Sequence, residues 1–310
     1  MLYSRPGATH VGAVPIENDT SVVHEASCTL HANRMNAQSI AFSAVQMNSQ
    51  DDVDANLSRV TALVEEAAAR GAGVVLLPEN FACMGKEEGR RKIAEPIGCA
   101  DRGPILTSVA RAATASGVYV IAGGMPERGP DPDRPFNTCA VIAPDGTVVA
   151  KYRKIHLFDV DVGDGQRYRE STSAMAGDAP ICCEIGGFRV GLSVCYDLRF
   201  PELYRAYADA GADVLVVPAA FTAVTGQDHW DVLVRARAIE SQAYVVAAAQ
   251  WGMHPNGRQT YGNSAIVDPW GEIIARSPER EGVIVATIER ARIARVRTQL
   301  PSLTHRRLKA

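Results

Sequence analysis

The chain lacks any run of about 18 apolar residues, the length a helix needs to cross a bilayer. Its opening residues also lack the roughly 7–15-residue apolar stretch of a secretory signal. It has no HExxH or comparable ligand cluster, no GxSxG, and no glycine pairs with nucleotide-loop spacing. A metal amidase, a serine hydrolase and a nucleotide-binding loop therefore find no support. An excess of one charge is missing as well. A formal net charge of −3 gives no surface for nucleic acid or an anionic membrane, and the basic end, Arg306-Arg307 and Lys309, is too short for more than a solvated tail. The seven cysteines are odd in number and have no CxxC spacing, which argues against a disulfide framework and for a reducing cytoplasm.

What is present gathers at strand ends. Val190-Gly-Leu-Ser-Val-Cys195-Tyr-Asp-Leu-Arg-Phe-Pro-Glu-Leu203 reads as a buried strand and then a helix with Pro201 in its first turn. Cys195 would then sit near unpaired helix N–H groups, which favour a thiolate and can lower its pKa from roughly 8.5. Alone, such a cysteine reads more readily as a buried structural residue. Two further strand ends change the balance. Gly73-Val-Val-Leu-Leu-Pro-Glu79-Asn80 delivers a carboxylate just past Pro78, and Thr147 to Asp159 is a strand that finishes among cations including Lys154. Glu79 alone could be a helix-capping carboxylate, and Lys154 one of several solvated cations beside Lys151 and Arg153. In an open α/β sheet, however, reactive groups collect at the carboxyl ends of strands. A nucleophile, a base and a cation to hold an oxyanion are what acyl transfer requires.

These segments resemble the nitrilase-like carbon–nitrogen hydrolases. The matching stretches are Leu77-Pro-Glu79-Asn-Phe81, Tyr152-Arg-Lys154-Ile-His156 and Val194-Cys195-Tyr-Asp-Leu-Arg-Phe-Pro-Glu202, within a resemblance covering about residues 38 to 308. Arg169-Glu-Ser171, Ala220-Phe-Thr-Ala-Val-Thr-Gly226, His229-Trp230 and Arg258-Gln-Thr-Tyr-Gly262 are similar to the branch of deaminated glutathione amidases and ω-amidases. The resemblance implies a catalytic set of Glu79, Lys154 and Cys195, with Glu170 as a further acidic residue bonded to Lys154. Lys154 and the Tyr196 backbone N–H would hold the oxyanion. The resemblance also places a carboxylate-binding role on Arg199 and substrate contacts on Phe221 and Thr225. Read as a residue, Arg199 could instead form a salt bridge to Asp197 or Glu202. His156 shares the face of Lys154 if the strand continues, yet a histidine so placed is more often a hydrogen-bonded structural residue.

The implied activity is a thiol-dependent amidase acting on a small 2-oxo acid amide, best matched by deaminated glutathione, with no metal or organic cofactor. The alternatives are an ω-amidase acting on 2-oxoglutaramate, an N-carbamoyl amino acid amidohydrolase, and a non-catalytic interaction protein. The expected partners are a small-molecule amide and further copies of the chain, as a homodimer or larger homo-oligomer. Residues 1–37 lack apolar periodicity and are expected to be a mobile extension, with Met35 an equally good translation start. Residues 38–310 are expected to form one hydrolase domain. From residue 38 onward strands and helices alternate, and Asp145-Gly146 and Gly186-Gly187 mark hairpins. Crossover helices together with hairpins imply mixed α/β sheets with covered faces. Two such sheets face to face with helices outside, the α–β–β–α sandwich that the resemblance also implies, is the expected fold.

Overall fold

Strand alternation sorts the first sheet's side chains into two cores. In the computed structural model, which describes residues 37–98, 102–163 and 167–308, Val74 and Leu76 of β2 (Val74–Leu76) pack inward, while Val75 and the following Leu77 face the other way. The first sheet has the order β16-β1-β2-β3-β4-β5. Its other members are β1 (Ser39–Gln46), β3 (Tyr119–Glu127), β4 (Phe136–Ile142), β5 (Val148–Arg153) and β16 (Gly282–Glu289). Parallel pairs join β1, β2 and β3, and the remaining neighbours are antiparallel. The second sheet runs β15-β14-β11-β10-β9-β8, from β8 (Cys182–Ile185), β9 (Phe188–Leu192), β10 (Val214–Ala219), β11 (Tyr244–Ala249), β14 (Ala265–Val267) and β15 (Ile273–Arg276). Both expected hairpins are present, as the β4–β5 and β8–β9 turns, with Gly146, Gly186 and Gly187 at positive φ.

Helices cover the outer faces. Asp52 caps α1 (Val53–Ala69) by accepting the Ala55 N–H, and this helix presents Leu57, Val60, Leu63 and Val64 to the first sheet. Beside it lies α3 (Pro104–Ser116), packing Ile105, Leu106 and Val109 into the same core. Over the second sheet lie α4 (Pro201–Asp209) and α5 (Ala223–Ser241), which bury Tyr204, Tyr207, Trp230, Val234 and Ala238. Ile239 of α5 is 46% exposed, because the buried stripe follows 230, 234, 238 at helical spacing and leaves 239 beside it. Shorter elements are α2 (Glu87–Lys92), α6 (Arg290–Gln299), the pair β6 (Asp159–Asp161) with β7 (Arg167–Arg169), and the pair β12 (Trp251–Met253) with β13 (Gln259–Tyr261). All but the last residue of the expected extension 1–37 lies outside the described residues.

The sheets approach each other closely at Gly123 of β3. A Cβ added there would sit 2.1 Å from the Pro218 side chain of β10 and 2.4 Å from the Leu77 carbonyl. Glycine is required at this point for the strands to come so close.

Candidate active site

Three strand ends deliver the reactive side chains, two from the first sheet and one from the second. Beyond β2 the chain turns at Asn80, whose φ is +60° and whose N–H donates to the Gly124 carbonyl at 2.9 Å. Gly124 is itself at positive φ, and a Cβ there would lie 2.6 Å from Glu79 Cγ, so glycine lets the base pack flat against β3. Beyond β5 the Lys154 N–H donates to the Asn137 carbonyl at 2.8 Å, carrying the ammonium in under β4. Beyond β9, Cys195 opens a 3₁₀ turn, Cys195–Arg199, at φ +50°. For a non-glycine residue that conformation costs of order 1–3 kcal/mol and persists only where the surroundings hold it.

The surroundings do hold it. Asp197, fully buried, accepts the Val194 N–H at 2.8 Å and the Tyr152 hydroxyl at 2.7 Å, so it ties the cysteine turn to the strand that carries Lys154. His156 completes that tie, with Nδ1 2.7 Å from Asp197 and its ring stacked 3.7 Å from Phe200. The histidine is thus engaged with Asp197. From α5, Arg237 donates twice to the Leu198 carbonyl, at 2.9 and 2.8 Å, and once to Glu240 at 2.7 Å. Arg237 and Glu240 form an ion pair, whereas Arg235 donates to the Gly271 carbonyl.

At the centre, Lys154 Nζ lies 3.0 Å from Glu79 and 2.8 Å from Glu170, the hydrogen bond expected for Glu170. Glu170 also accepts the Phe158 N–H at 2.8 Å. Asn137, absent from the sequence-based set, donates from Nδ2 to Glu79 at 2.9 Å and to Glu170 at 3.1 Å. Its only sequence signal is a single amide inside β4, which also carries Thr138 and so looks like an ordinary strand position. Burial opposes the Lys154 charge, but Glu170, Glu79 and Cys195 outweigh it and drive the ammonium's pKa upward. Burial likewise pushes Glu170 up, and Lys154 and Arg90 pull it further the other way, to about 2. Both carboxylate and ammonium are therefore charged near neutral pH.

The thiol departs from expectation. Burial and then the Glu79 carboxylate push the Cys195 pKa well above its ordinary value, and Lys154 offsets only part of that. The expected thiolate at a helix end is overruled because the cysteine is 5% exposed and a five-residue 3₁₀ turn offers little dipole.

Glu79, Lys154, Glu170 and Cys195 line one cavity of about 410 Å³. A narrow cleft adjoins it, lined by Cys195, Tyr196, Arg199, Phe221 and Thr225, so the expected substrate residues converge beside the cysteine. Thr225 is held in the first turn of α5 by its 2.8 Å hydroxyl contact with Thr222, and Phe221 packs edge-on to Trp230. Arg199 forms no ion pair with Asp197 or Glu202. Its guanidinium lies 5.1 Å from the Phe221 ring centre and contacts His229 Nδ1 at 3.2 Å. Arg258 lines both cavity and cleft, donates to the Ala220 carbonyl, and lies over the Phe158 and Tyr168 rings. It stood inside a matching segment without being singled out. Among the described residues no group of three or more His, Cys, Asp or Glu side chains could hold a metal ion, and no helix is long and apolar enough to cross a membrane.

The chain is similar to known proteins. A deaminated glutathione amidase of Synechocystis is 45% identical over 266 residues, covering 85% of this chain and 96% of that one. An omega-amidase of Xenopus tropicalis is 40% identical over 252 residues, 81% of this chain and 89% of its own. The crystal structure of Saccharomyces cerevisiae Nit3, described as a member of branch 10 of the nitrilase superfamily, superposes with a TM-score of 0.80 at 31% identity, over 88% of this chain and 98% of that one. The carbon-nitrogen hydrolase family profile matches residues 42–298. With two sheets that each bring part of one thiol, carboxylate and ammonium cluster to a shared cavity, the chain belongs to the carbon–nitrogen hydrolase family.

Proposed function

We propose that this protein hydrolyses the amide of a small 2-oxo acid through an acyl thioester on Cys195, with deaminated glutathione as the best-matched substrate, giving 2-oxoglutarate and cysteinylglycine. The observation that carries the reading is the shared cavity of Cys195 with the Glu79–Lys154–Glu170 cluster, beside a cleft where Arg199 has no acidic partner among the described residues. Arg199 has the planar fork that grips a carboxylate in two places. The names of the amidases at 40–45% identity support the same substrate class.

The raised thiol pKa shapes the mechanism. A cysteine protonated at rest must lose its proton as it attacks, and Glu79 is the base placed to take it. The C–S bond forms, and the carbonyl oxygen becomes an oxyanion facing the Lys154 ammonium and the Tyr196 N–H, each such donor being worth about 3 kcal/mol. Glu79 then returns the proton to nitrogen as the C–N bond breaks. Water, deprotonated by the same carboxylate, releases the acid from the thioester and restores the thiol. Glu170 and Asn137 hold Lys154 and Glu79 in place throughout.

The second reading, an ω-amidase releasing ammonia from 2-oxoglutaramate, uses the same machinery and is favoured by the Xenopus relative. A homodimer or larger homo-oligomer, a cytoplasmic setting and a single hydrolase domain over residues 38–310 belong to this proposal. Exposed Val224, Val232 and Ile239 on α5 support the first, unpaired Cys83, Cys139, Cys182, Cys183 and Cys195 the second, and the core shared between the two sheets the third.

Product release measured over a panel of deaminated glutathione, 2-oxoglutaramate, an N-carbamoyl amino acid and a nitrile tests the proposal. Turnover of the 2-oxo acid amides with a substrate-derived mass adduct on the Cys195 peptide is expected. Turnover confined to the carbamoyl compound or the nitrile would overturn it.

A further inference from the structure

Glu79 and Cys195 stand on different sheets, so a proton can pass between them only if something fixes one against the other. The Glu79 carboxylate is held by Asn137 and Lys154, both delivered by the first sheet, as Glu79 itself is. Cys195 follows β9 of the second sheet, and the Ala220 N–H, just past β10, donates to its sulfur. Asp197 ties the cysteine turn to the strand of Lys154 through Tyr152. The matching tie for Glu79 comes from Gln250.

Gln250, the residue after β11, is fully buried. Its N–H donates to the Ala219 carbonyl at 2.9 Å, one residue before the N–H that faces the sulfur. Its side chain crosses to the first sheet. Nε2 donates to the Glu79 main-chain carbonyl at 3.1 Å and to Ser49 Oγ at 2.8 Å, while Oε1 accepts the Ser49 N–H at 2.9 Å. Only one orientation of the amide satisfies these partners, because the reverse would set Oε1 against the Glu79 carbonyl and Nε2 against the Ser49 N–H. An apolar side chain of similar length could fill the space; the amide adds direction.

The hold extends along the loop that carries the base. Ser49 donates from Oγ to the Phe81 carbonyl at 3.0 Å, and Asn56 of α1 donates to the Ala82 carbonyl at 2.9 Å. Carbonyls 79, 81 and 82 are thus each taken by a side chain from a different part of the fold. His254, also buried, fastens the β12–β13 hairpin to the same point. Its Nδ1 donates to the Ser49 carbonyl at 2.9 Å, and its Nε2 lies 2.7 Å from the Thr260 hydroxyl.

We infer that Gln250 is a positioning residue for the hydrolysis proposed above, on which this inference rests: it clamps the main chain of Glu79 to the strand end that supports Cys195. It touches neither substrate nor the reacting atoms. Its effect falls on proton transfer between sulfur and carboxylate, where a shift of about 1 Å can cost about 10²-fold.

The test uses the full chain. Gln250→Met keeps the length and removes both ends of the clamp, and kcat on a 2-oxo acid amide is expected to fall roughly ten- to a hundredfold, with KM within about twofold of wild type. Alkylation of Cys195 by iodoacetamide, followed by intact mass, reads the same proton transfer without turnover. Gln250→Met should slow it several-fold when Glu79 is present and leave it unchanged in a Glu79→Gln background, whereas general damage to the site would slow both alike. Ser49→Ala removes the hydroxyl that the amide leans on and should give the same pattern at smaller size; it carries the test if circular dichroism shows Gln250→Met unfolded. An unchanged kcat, a loss confined to KM, or equal slowing of alkylation in both backgrounds would overturn the inference. If wild type cleaves no 2-oxo acid amide, the proposed function fails, and the alkylation comparison still decides the role of Gln250.

Discussion

The Lys154 cluster and a wall of exposed cations, Lys86, Arg167 and Arg169, line the same cavity, yet charge works differently in them. In the cluster one ammonium, two carboxylates and an amide are buried within 3.1 Å of their partners, and removing one member strands the others without water. Breaking such a buried set commonly costs several kcal/mol. On the wall the side chains are exposed and screened by salt, so each is worth little for stability and acts through the field it adds to its neighbours'. The contrast teaches where precision and where tolerance are to be expected: a substitution in the cluster should damage the chemical step, and one on the exposed wall should leave fold and stability nearly unchanged.

The sharpest way to break the comparison is at the nucleophile. Cys195→Ala should abolish turnover with the fold intact, as followed by product release and circular dichroism; substantial residual activity would remove the thioester from the mechanism. Next come Glu79→Gln and Lys154→Met, each expected to lower kcat by several orders of magnitude. If only KM rises, these residues merely hold substrate. Asn137→Leu should cost less, roughly 10²-fold in kcat, because it frees both carboxylates to shift without deleting either.

Arg199→Leu tests the cleft in the same spirit. It should penalise an acidic amide over its neutral analogue by about 1.5–3 kcal/mol in kcat/KM. An equal loss for both would make Arg199 structural. The smallest effect concerns pH. Glu170, held at about 2 against an ordinary 4.5, binds a proton less readily folded than unfolded, so its contribution to stability is complete above about pH 4.5 and disappears as pH falls toward 2. The gap in urea midpoint between wild type and Glu170→Gln should accordingly narrow between pH 7 and pH 3. A gap independent of pH would mean the carboxylate's charge does not stabilise the fold.

Much of the site was legible because Glu79 and Cys195 each end an apolar run, while Lys154 ends a strand that finishes among cations. Glu79 follows Pro78, Lys154 follows β5, and Cys195 follows β9, so the strands that bury their neighbours also place them at the sheet edge. The two hairpins could be read from their turn dipeptides, Asp145-Gly146 and Gly186-Gly187, for a similarly local reason. Asn137 was hidden because it lies inside a strand beside Thr138, where one amide looks like an ordinary pairing residue. Arg258 sits in a loop whose approach to Phe158 and Tyr168 depends on a contact across nearly a hundred residues. The direction of the Cys195 shift was misread because it depends on how completely the two sheets close over the sulfur, which no local pattern encodes. Helices α3 and α6 and strand β16 were not singled out; α6 buries only Ile293 and Val296, too few positions to establish a period.

The packing at Gly123 has a consequence for how the chemistry is kept in tune. Glu79 and Lys154 ride on one slab of the sandwich and Cys195 on the other, so the gap between slabs is also the gap between nucleophile and base. That gap is calibrated where β3 meets Pro218, by a methyl group that is not there. A single added carbon would act as a wedge, prying apart two halves of a reaction that neither slab can perform alone.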